Sequence, residues 1–260
     1  MTILDKIIER KKIEVEKAKA SVPFEELLNY PYFSVACLSL RESILDPEKT
    51  GIIAEYKRAS PSKGEINSTS TVEDVVKAYE EAGASAVSVL TDGEFFKGNL
   101  ADLSKAREAI SIPILRKEFI VDKYQITEAK AYGADVILLI AACLKKEEVQ
   151  EFAAYAKQIG LNVLLEVHNE QELLDNLFDD IDAIGVNNRN LKDFSVDLQH
   201  SYNLLDQIPT EYIRVSESGI SDPSTIKALK KAGFQGFLIG ENFMKTADPG
   251  RAIKEFVKEI

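Results

Sequence analysis

A carboxylate and an amine stand two residues apart at the end of a short apolar run. The segment GIIAEYKRASPS, residues 51–62, places Glu55 and Lys57 directly after three apolar residues. Residues two apart in a β-strand point to the same side, so Glu55 and Lys57 share one face and Tyr56 takes the other. Lysine and glutamate are rarely buried without a partner. The pair predicts either a site for acid–base chemistry or an ordinary ion pair at a strand end.

Further ionisable and amide side chains stand at the ends of later apolar runs. Lys117 ends ILRK, Glu166 ends LLE, Asn187 follows AIGV and Glu217 follows IRVS. A lysine in such a position is able to act as a general acid if desolvation lowers its pKa, or it simply attracts anions. Glu166 is either a base or the structural partner of Lys57 or Lys117. These groups act together only if the fold brings the ends of the runs to one point.

The elements that must position these residues alternate regularly from residue 51 onward. Short β-branched runs predict eight strands, at Ile52–Tyr56, Ala86–Leu90, Ile112–Arg116, Val136–Ile140, Val163–Val167, Ala183–Val186, Ile213–Ser216 and Gly236–Ile239. Helical periodicity predicts helices at Val72–Glu81, Leu100–Ile110, Tyr124–Tyr132, Lys146–Ile159, Glu170–Leu177, Leu198–Gln207, Pro223–Ala232 and Arg251–Val257. Eight such units predict an α/β fold, a (β/α)8 TIM barrel, whose chemistry lies at the C-terminal ends of the strands. A doubly wound open sheet is the alternative, but no glycine-rich dinucleotide fingerprint follows the first strand.

Local signals mark several helix ends. The segment Ser70-Thr-Val-Glu73 is typical of a capping box before the first barrel helix. Glycines stand where four helices should stop, at Gly83, Gly133, Gly160 and Gly233.

The first 50 residues differ from the rest of the chain. They predict helices at residues 2–20, Phe24–Asn29 and Leu38–Leu45, with too little apolar material for a core of their own. We therefore expect residues 1–260 to form a single domain. In it, residues 1–50 make a helical extension over the barrel mouth and residues 51–260 make the barrel.

Composition restricts the possible partners and cofactors. The 260 residues carry a net charge of −11, which argues against a nucleic-acid partner. No apolar run is long enough to span a membrane. Cys37 and Cys143 have neither metal nor redox spacing, and two histidines cannot build a histidine-rich metal site. We expect a cytoplasmic enzyme without a metal, whose site is locally basic if its ligand is a small anion.

Two glycine-containing segments follow the last two strands. Ser218-Gly219-Ile220 comes after the seventh, and Gly240-Glu241-Asn242 comes after the eighth. Barrels often bind phosphate at this place, through backbone N–H groups and the start of a short helix, here expected near Glu241. Ordinary turn glycines are the alternative interpretation.

The remaining candidates fall into an apolar group and a structural group. An apolar slot for an aromatic ring is available from Pro61, Phe96, Phe119, Leu191 and Leu238, each of which suits the core equally well. Arg116 is expected to face the helices, and His168 is interpreted as structural. Residues 58–70 are either a lid or disordered.

At these residues the chain resembles the indole-3-glycerol phosphate synthase family. The matching motifs, which run in order through nearly the whole chain, are IAEYKRASPS (53–62), LTD (90–92) with FFKG (95–98), KEFIVD (117–122) with YQ (124–125), LEVHN (165–169), GVNNRNL (185–191), SESGI (216–220) and LIGE (238–241). Three departures stand out: Glu118 replaces the usual aspartate, Gly93 adds flexibility before Phe95, and Asn242-Phe243 replaces a smaller pair.

The resemblance implies a carboxy-lyase of tryptophan biosynthesis that uses no cofactor. It would convert 1-(2-carboxyphenylamino)-1-deoxyribulose 5-phosphate into indole-3-glycerol phosphate, carbon dioxide and water. Lys117 would be the general acid that protonates the ketone oxygen. Glu166 and Lys57 would serve ring closure and dehydration, with Glu55 as a further base. The division of acid and base roles among these four stays open.

The resemblance also implies the binding residues. Asn187 would position this catalytic group, Glu217 and Ser218 would line its floor, Arg189 with Ser60 would hold the substrate carboxylate, Phe96, Phe119 and Pro61 would pack the anthranilate ring, and Gly219, Gly240 and the backbone at Glu241 would bind phosphate. We expect a monomer, with a weak homodimer as the alternative.

Two other functions are compatible with parts of the pattern. Phosphoribosylanthranilate isomerase is another phosphate-binding barrel, but its reaction needs a cysteine and aspartate pair, whereas these strand ends offer lysines and glutamates. A barrel that binds a phosphorylated metabolite without turnover is the alternative from a different class. Charged residues of catalytic type on separate strand ends count against it.

Overall fold

Eight parallel strands form a closed barrel in the computed structural model, which describes residues 2–191 and 193–260. The strands are β1 (Ile52–Tyr56), β2 (Ala86–Leu90), β3 (Ile114–Lys117), β4 (Val136–Ile140), β5 (Asn162–Val167), β6 (Ala183–Asn187), β7 (Ile213–Glu217) and β8 (Gly236–Ile239). Each strand pairs with its neighbours in chain order, and β8 pairs with β1 to close the barrel. The predicted TIM barrel is confirmed.

The strands are buried on both faces, which explains their continuous apolar sequences. Side chains such as Ile53, Leu115 and Leu164 pack inside the barrel. Their neighbours, such as Ile52 and Ile114, pack outward against the helices. The alternation follows the two-residue period of a strand, and it turns Glu55 inward and Tyr56 outward.

Several strands differ from the prediction at their ends. The third strand begins at Ile114 rather than Ile112, because Pro113 has no N–H group to give to the ladder. At the other end, pairing continues through the candidate functional residues, since Leu90 pairs with Lys117 and Asn187 pairs with Glu217. These side chains therefore project from strands rather than from loops, which makes their positions rigid.

Helices cover the outside of the barrel and both of its ends. They are α1 (Ile3–Ser21), α2 (Phe24–Leu27), α3 (Leu40–Leu45), α4 (Val72–Glu81), α5 (Gly93–Phe96), α6 (Leu100–Ala109), α7 (Lys123–Ala131), α8 (Lys146–Gln158), α9 (Glu170–Asp175), α10 (Gln199–Leu205), α11 (Pro223–Ala232), α12 (Glu241–Met244) and α13 (Pro249–Val257). A 3-10 turn at Ala141–Cys143 follows β4, and a two-stranded hairpin of Ala59–Ser60 with Gly64–Glu65 lies in the segment expected to be a lid or disordered. None of these helices is long and apolar enough to cross a membrane, as far as residues 2–191 and 193–260 show.

One of the predicted helix-end signals is confirmed and another is wrong. The glycines at 83, 133, 160 and 233 all have positive φ angles, as expected for residues that end helices. The predicted capping box at residues 70–73 is wrong, because Thr71 rather than Ser70 caps α4 and accepts a hydrogen bond from Asp74 N. The Ser70 carbonyl instead accepts the hydroxyl of Tyr56.

The first 50 residues reach both ends of the barrel. Ile3, Leu4 and Ile7 of α1 line the cavity at the C-terminal end. Leu40 and Ile44 of α3 join the apolar cluster inside the barrel from the opposite end. The leader was expected over the mouth alone, but α3 closes the base.

Candidate active site

A cavity of about 740 Å³ opens at the C-terminal end of the barrel, a size typical of a small-molecule site. All eight strands contribute to its lining, through Glu55, Leu90, Lys117, Ile140, Glu166, Asn187, Glu217 and Leu238. The loops that follow the strands add residues predicted from the sequence, namely Lys57, Ser60, Pro61, Phe96, Phe119, Arg189, Leu191, Ser218, Gly219, Gly240 and Glu241. The candidate residues therefore meet around one space.

Two lysines and three glutamates share the floor of this cavity. Lys57 Nζ lies 2.6 Å from Glu55 Oε1. Lys117 Nζ lies 3.4 Å from Glu166 Oε2 and 3.9 Å from Glu217 Oε2. The three glutamates are buried. Buried ions at such distances form one electrostatic unit, in which the charge of each group depends on the others.

A general acid at Lys117 was expected to have a pKa lowered by desolvation, but the pKa of Lys117 is raised. Burial alone would lower the pKa of Lys117, but the carboxylates of Glu166, Glu217 and Glu55 outweigh it and raise the pKa above its ordinary value. Desolvation therefore does not lower the pKa of this amine in the free site. Lys117 is an ammonium group with protons to donate.

The pKa values of the two glutamates beside Lys117 are shifted in opposite directions. Burial favours the neutral form of Glu166, but the ammonium of Lys117 overcomes it and lowers the pKa of Glu166 well below its usual range. Burial and the charge of Glu166 raise the pKa of Glu217 to about 8. Of the two carboxyl groups beside Lys117, Glu217 therefore keeps its proton to a higher pH than Glu166, an arrangement typical of acid–base catalysis.

Asn187 fixes the orientation of Glu166. Its Nδ2 donates to Glu166 Oε1 at 3.0 Å. Its Oδ1 accepts the backbone N–H of Arg189 at 3.0 Å and the hydroxyl of Ser218 at 2.9 Å. These contacts determine which way the amide faces. Asn187 is therefore placed to orient the Glu166 carboxylate.

His168 was interpreted as structural, yet it lies directly behind Glu166. Its Nε2 is 3.3 Å from Glu166 Oε1, and its Nδ1 is 3.3 Å from Glu172 Oε2. Burial lowers the pKa of His168, but the two carboxylates outweigh it and raise the pKa to about 10. An imidazolium at this place supports the ionised form of Glu166. The signal was present in the sequence, since residues 166 and 168 are two apart at a strand end.

Two glycines make room for catalytic-type carboxylates. A Cβ atom at Gly185 would lie 2.0 Å from Glu217 Oε1, and one at Gly240 would lie 2.5 Å from Glu55 Oε1. The sequence predicts a phosphate or turn glycine at Gly240 and gives no signal at Gly185. Glu217 Oε1 is buried and has no hydrogen-bond partner within residues 2–191 and 193–260. This oxygen packs against the backbone of Gly185.

An apolar slot lies at one side of the cavity. The rings of Phe96 and Phe119 are 6.1 Å apart between centroids and tilted by 37°. Pro61 and Leu238 line the same cavity. A flat aromatic ligand fits such a surface well, because aromatic rings pack favourably in offset or tilted arrangements.

The other side of the cavity presents backbone groups and two cations. Ser218 and Gly219 have φ angles of 66° and 80°, a left-handed turn that follows β7. Within residues 2–191 and 193–260, no side chain caps the start of α12 at Gly240. The Glu241 carboxylate lies 3.6 Å from Lys63 Nζ and 3.7 Å from Arg189 Nη2. These two cations offset its charge at the cavity wall.

The family model described as indole-3-glycerol phosphate synthase matches residues 4–256. The chain belongs to the indole-3-glycerol phosphate synthase family. Proteins named indole-3-glycerol phosphate synthase are 48% identical in Bacteroides thetaiotaomicron and 45% identical in Caldanaerobacter subterraneus subsp. tengcongensis. Each match covers 99% of this chain and 98% of the relative. The resemblance inferred from the motifs is confirmed.

Solved structures with low sequence identity share the fold. The tryptophan synthase A-subunit from Pyrococcus furiosus matches with a TM-score of 0.61 at 17% identity, over 81% of this chain and 98% of that chain. A structure described as native KDPGal matches with a TM-score of 0.58 at 15% identity, over 81% of this chain and 92% of that chain. At such identities the similarity concerns the barrel alone.

Local contacts accommodate the positions that depart from the usual indole-3-glycerol phosphate synthase motifs. Gly93 begins α5, which Asp92 caps. Asn242 Nδ2 donates to the Ser221 carbonyl at 3.3 Å. Phe243 is fully buried and turns away from the anion end of the cavity, where its ring packs against other aromatic rings. Glu118 is buried, accepts the hydroxyl of Thr91 at 2.8 Å and accepts the N–H of Phe119 at 2.8 Å.

Proposed function

We propose that the cavity closes the indole ring of 1-(2-carboxyphenylamino)-1-deoxyribulose 5-phosphate, giving indole-3-glycerol phosphate, carbon dioxide and water for tryptophan biosynthesis. The observation that carries this proposal is the ammonium of Lys117 between Glu166, whose pKa is lowered, and Glu217, whose pKa is raised. The reaction needs both donated and accepted protons at one place, and this group offers both.

In the proposed binding mode, the substrate spans the cavity from the apolar slot to the backbone groups. The anthranilate ring packs against Phe96 and Phe119, beside Pro61 and Leu238. The phosphate lies against the backbone of Gly219, Gly240 and Glu241, and Arg189 with Ser60 holds the ring carboxylate. Anchoring both ends forces the ring carbon and the ketone carbon together, and such positioning contributes a large part of the rate enhancement.

The proposed reaction begins when the ring carbon that bears the carboxylate attacks the ketone carbon. Lys117 gives a proton to the ketone oxygen, so a carbon–carbon bond forms and the oxygen becomes a hydroxyl group. The attacked ring carbon is now tetrahedral. Its bond to the carboxylate breaks, carbon dioxide leaves, and the bonding electrons restore the aromatic ring. Glu166, held ionised by Lys117 and His168, stabilises the positive charge that develops on the ring nitrogen.

Dehydration completes the proposed reaction. The hydroxyl group leaves as water after it accepts a proton, and a proton is removed from the five-membered ring as the double bond forms. We assign this proton exchange to Lys57 and Glu55, whose side chains are 2.6 Å apart. No electrons are gained or lost overall, so we expect no redox cofactor. We further propose that the chain acts as a single-domain monomer in the cytoplasm, with its thiols reduced.

One assay tests the proposed function directly. Purified protein is incubated with the carboxyphenylamino substrate, and the appearance of indole fluorescence is followed. The chain contains no tryptophan, so the protein contributes little background. A Lys117→Ala variant should bind substrate but lose turnover by about 10²- to 10⁴-fold. Absence of product with folded wild-type protein would remove the proposed function, and full activity of Lys117→Ala would remove the role of Lys117.

A further inference from the structure

A buried lysine connects the first helix to the two loops that carry the slot phenylalanines. Lys11 on α1 is only 4% exposed. Its Nζ lies 2.8 Å from Asp92 Oδ2 and 3.0 Å from Glu118 Oε1. A third carboxylate, Glu14 on the same helix, lies 2.8 Å away. The proton transfers proposed above involve none of these groups.

The two buried carboxylates hold the backbone of the slot residues. Asp92 Oδ1 accepts the N–H groups of Phe95 at 2.7 Å and Phe96 at 3.3 Å. Glu118 Oε1 accepts the N–H of Phe119 at 2.8 Å. The positions of both rings therefore depend on where the carboxyl groups of Asp92 and Glu118 lie.

Lys11 is the main cation that contacts both carboxyl groups. Asp92 and Glu118 approach the same ammonium group, so without it the two carboxyl groups would face each other in a buried place. Arg116 Nη2 lies 3.9 Å from Glu118 Oε2, but it is engaged at 2.7 Å by Glu128. Loss of the cation from a buried ion pair is strongly destabilising, so we expect the carboxyl groups to move. Such a movement weakens their hold on the backbone.

The same helix also covers the mouth of the cavity. Ile7 lines the cavity and lies one turn before Lys11, on the same face of α1. Arg10, next to Lys11, forms an exposed ion pair with Glu94 of α5 at 2.7 Å. Two links thus join α1 to the loop after β2, and only the buried one reaches the groups that hold the rings.

We propose that Lys11 is a positioning residue for the ring-binding end of the cavity: its ammonium group holds the carboxyl groups of Asp92 and Glu118 in place, and these fix Phe96 and Phe119 in the arrangement against which an aminobenzoate ring packs. The inference rests on the proposed function for the identity of the ring. We expect the effect of Lys11 to be confined to the ring-binding end, because the backbone groups beside Gly219 and Gly240 have no contact with this cluster.

The test compares ligands for the two ends of the cavity. Lys11→Met keeps most of the length of the side chain and removes its charge. The KM for the carboxyphenylamino substrate should rise about tenfold, with kcat within about threefold, since no proton donor or acceptor is lost. The dissociation constant of 2-aminobenzoate, measured by calorimetry, should rise by a similar factor. Competitive inhibition by inorganic phosphate should be unchanged.

Two further variants separate charge balance from helix docking. Arg10→Met removes the exposed link between the same elements and should change KM by less than about twofold, as usual for surface ion pairs. Lys11→Met/Glu118→Gln removes the surplus negative charge and should recover most of the lost 2-aminobenzoate affinity. If Lys11→Met alone does not fold, this double variant should fold and bind.

Three outcomes overturn the proposal. They are equal loss of phosphate and 2-aminobenzoate affinity in Lys11→Met, a double variant no better than the single one, and a double variant that is also unfolded. Failure of the proposed function is recognised separately, because wild-type protein would then give no indole product. The 2-aminobenzoate measurement needs no turnover and judges Lys11 by itself.

Discussion

Removal of the Lys117 charge should destabilise the protein in a pH-dependent manner. The ammonium group lies 3.4 Å from Glu166 Oε2 and 3.9 Å from Glu217 Oε2. At an effective dielectric constant of about 20, the charge pair with Glu166 contributes about 5 kcal/mol, and desolvation of the ions offsets most of this. Loss of one partner of a buried cluster leaves the others uncompensated. We expect Lys117→Met to lower the free energy of unfolding by about 3 kcal/mol at pH 8.

The loss of stability in Lys117→Met should be smaller at lower pH. Without Lys117, the pKa values of Glu166 and Glu217 in the folded variant rise above the unfolded value of about 4.3. The folded variant then retains protons that its unfolded chain releases, so its stability falls as the pH rises from about 5 to 8. The pKa of Glu217, raised to about 8 by burial and by Glu166, already follows this direction in the parent protein. We expect the difference from the parent to shrink to about 1 kcal/mol at pH 5.

Urea unfolding followed by far-ultraviolet circular dichroism at pH 5 and pH 8 measures this difference. Lys117→Met/Glu166→Gln should recover part of the stability at pH 8, because the carboxylate that Lys117 compensated is gone. Lys105→Met is the matched control, since its Nζ lies 3.5 Å from Glu73 in an exposed ion pair. It should cost less than about 1 kcal/mol at both pH values. An equal loss at pH 5 and pH 8 for Lys117→Met would refute the argument that the buried carboxylates depend on Lys117.

Three further predictions concern other groups in the cavity. His168→Asn removes a cation from Glu166 and should raise the pKa of that carboxyl group, so the acid limb of the kcat/KM profile should move up by about one pH unit. Gly185→Ala should push Glu217 from its place, lowering kcat at least tenfold and stability by about 1 to 3 kcal/mol, as measured by steady-state kinetics and urea unfolding. Glu241→Gln removes a negative charge from the anion end, so the inhibition constant for inorganic phosphate should fall several-fold.

Each of these changes has a control or a contrary result. Gly93→Ala places a methyl group no closer than 3.8 Å to its nearest neighbour and should leave kcat nearly unchanged. An acid limb that stays in place in His168→Asn would mean that the imidazole does not influence Glu166. Weaker phosphate inhibition in Glu241→Gln would mean that this carboxylate organises Lys63 and Arg189 for binding rather than competing with the anion.

The barrel was predictable because its signals are local. Strand and helix periods, terminal glycines and the two-residue alternation that pairs Glu55 with Lys57 all lie within short segments. The charge state of Lys117 was not predictable in this way, because its pKa depends on carboxylates from β1, β5 and β7. The need for glycine at position 185 likewise depends on Glu217, which lies on the neighbouring strand.

The aromatic slot shows the same limit. Phe96 and Phe119 were predicted as ring contacts from the motifs, whereas the cluster of Lys11, Asp92 and Glu118 behind them was not. Its members are more than a hundred positions apart at the extremes, and a lysine on an amphipathic helix ordinarily faces solvent. Only the docking of α1 turns this lysine inward. The sequence does not predict the contact of Lys11 with Asp92 and Glu118, because these residues are far apart in the chain.

Two helices of the first 50 residues contact the barrel separately: α1 covers its mouth and α3 closes its base. Because α1 and α3 meet the barrel at opposite ends, exchange of residues 3–21 with those of a relative would alter what the mouth admits without opening the base. Ligand preference thus depends on α1, whereas the stability of the barrel base depends on α3. Chimaeras of this kind offer a route to new ring substrates on an unchanged catalytic floor.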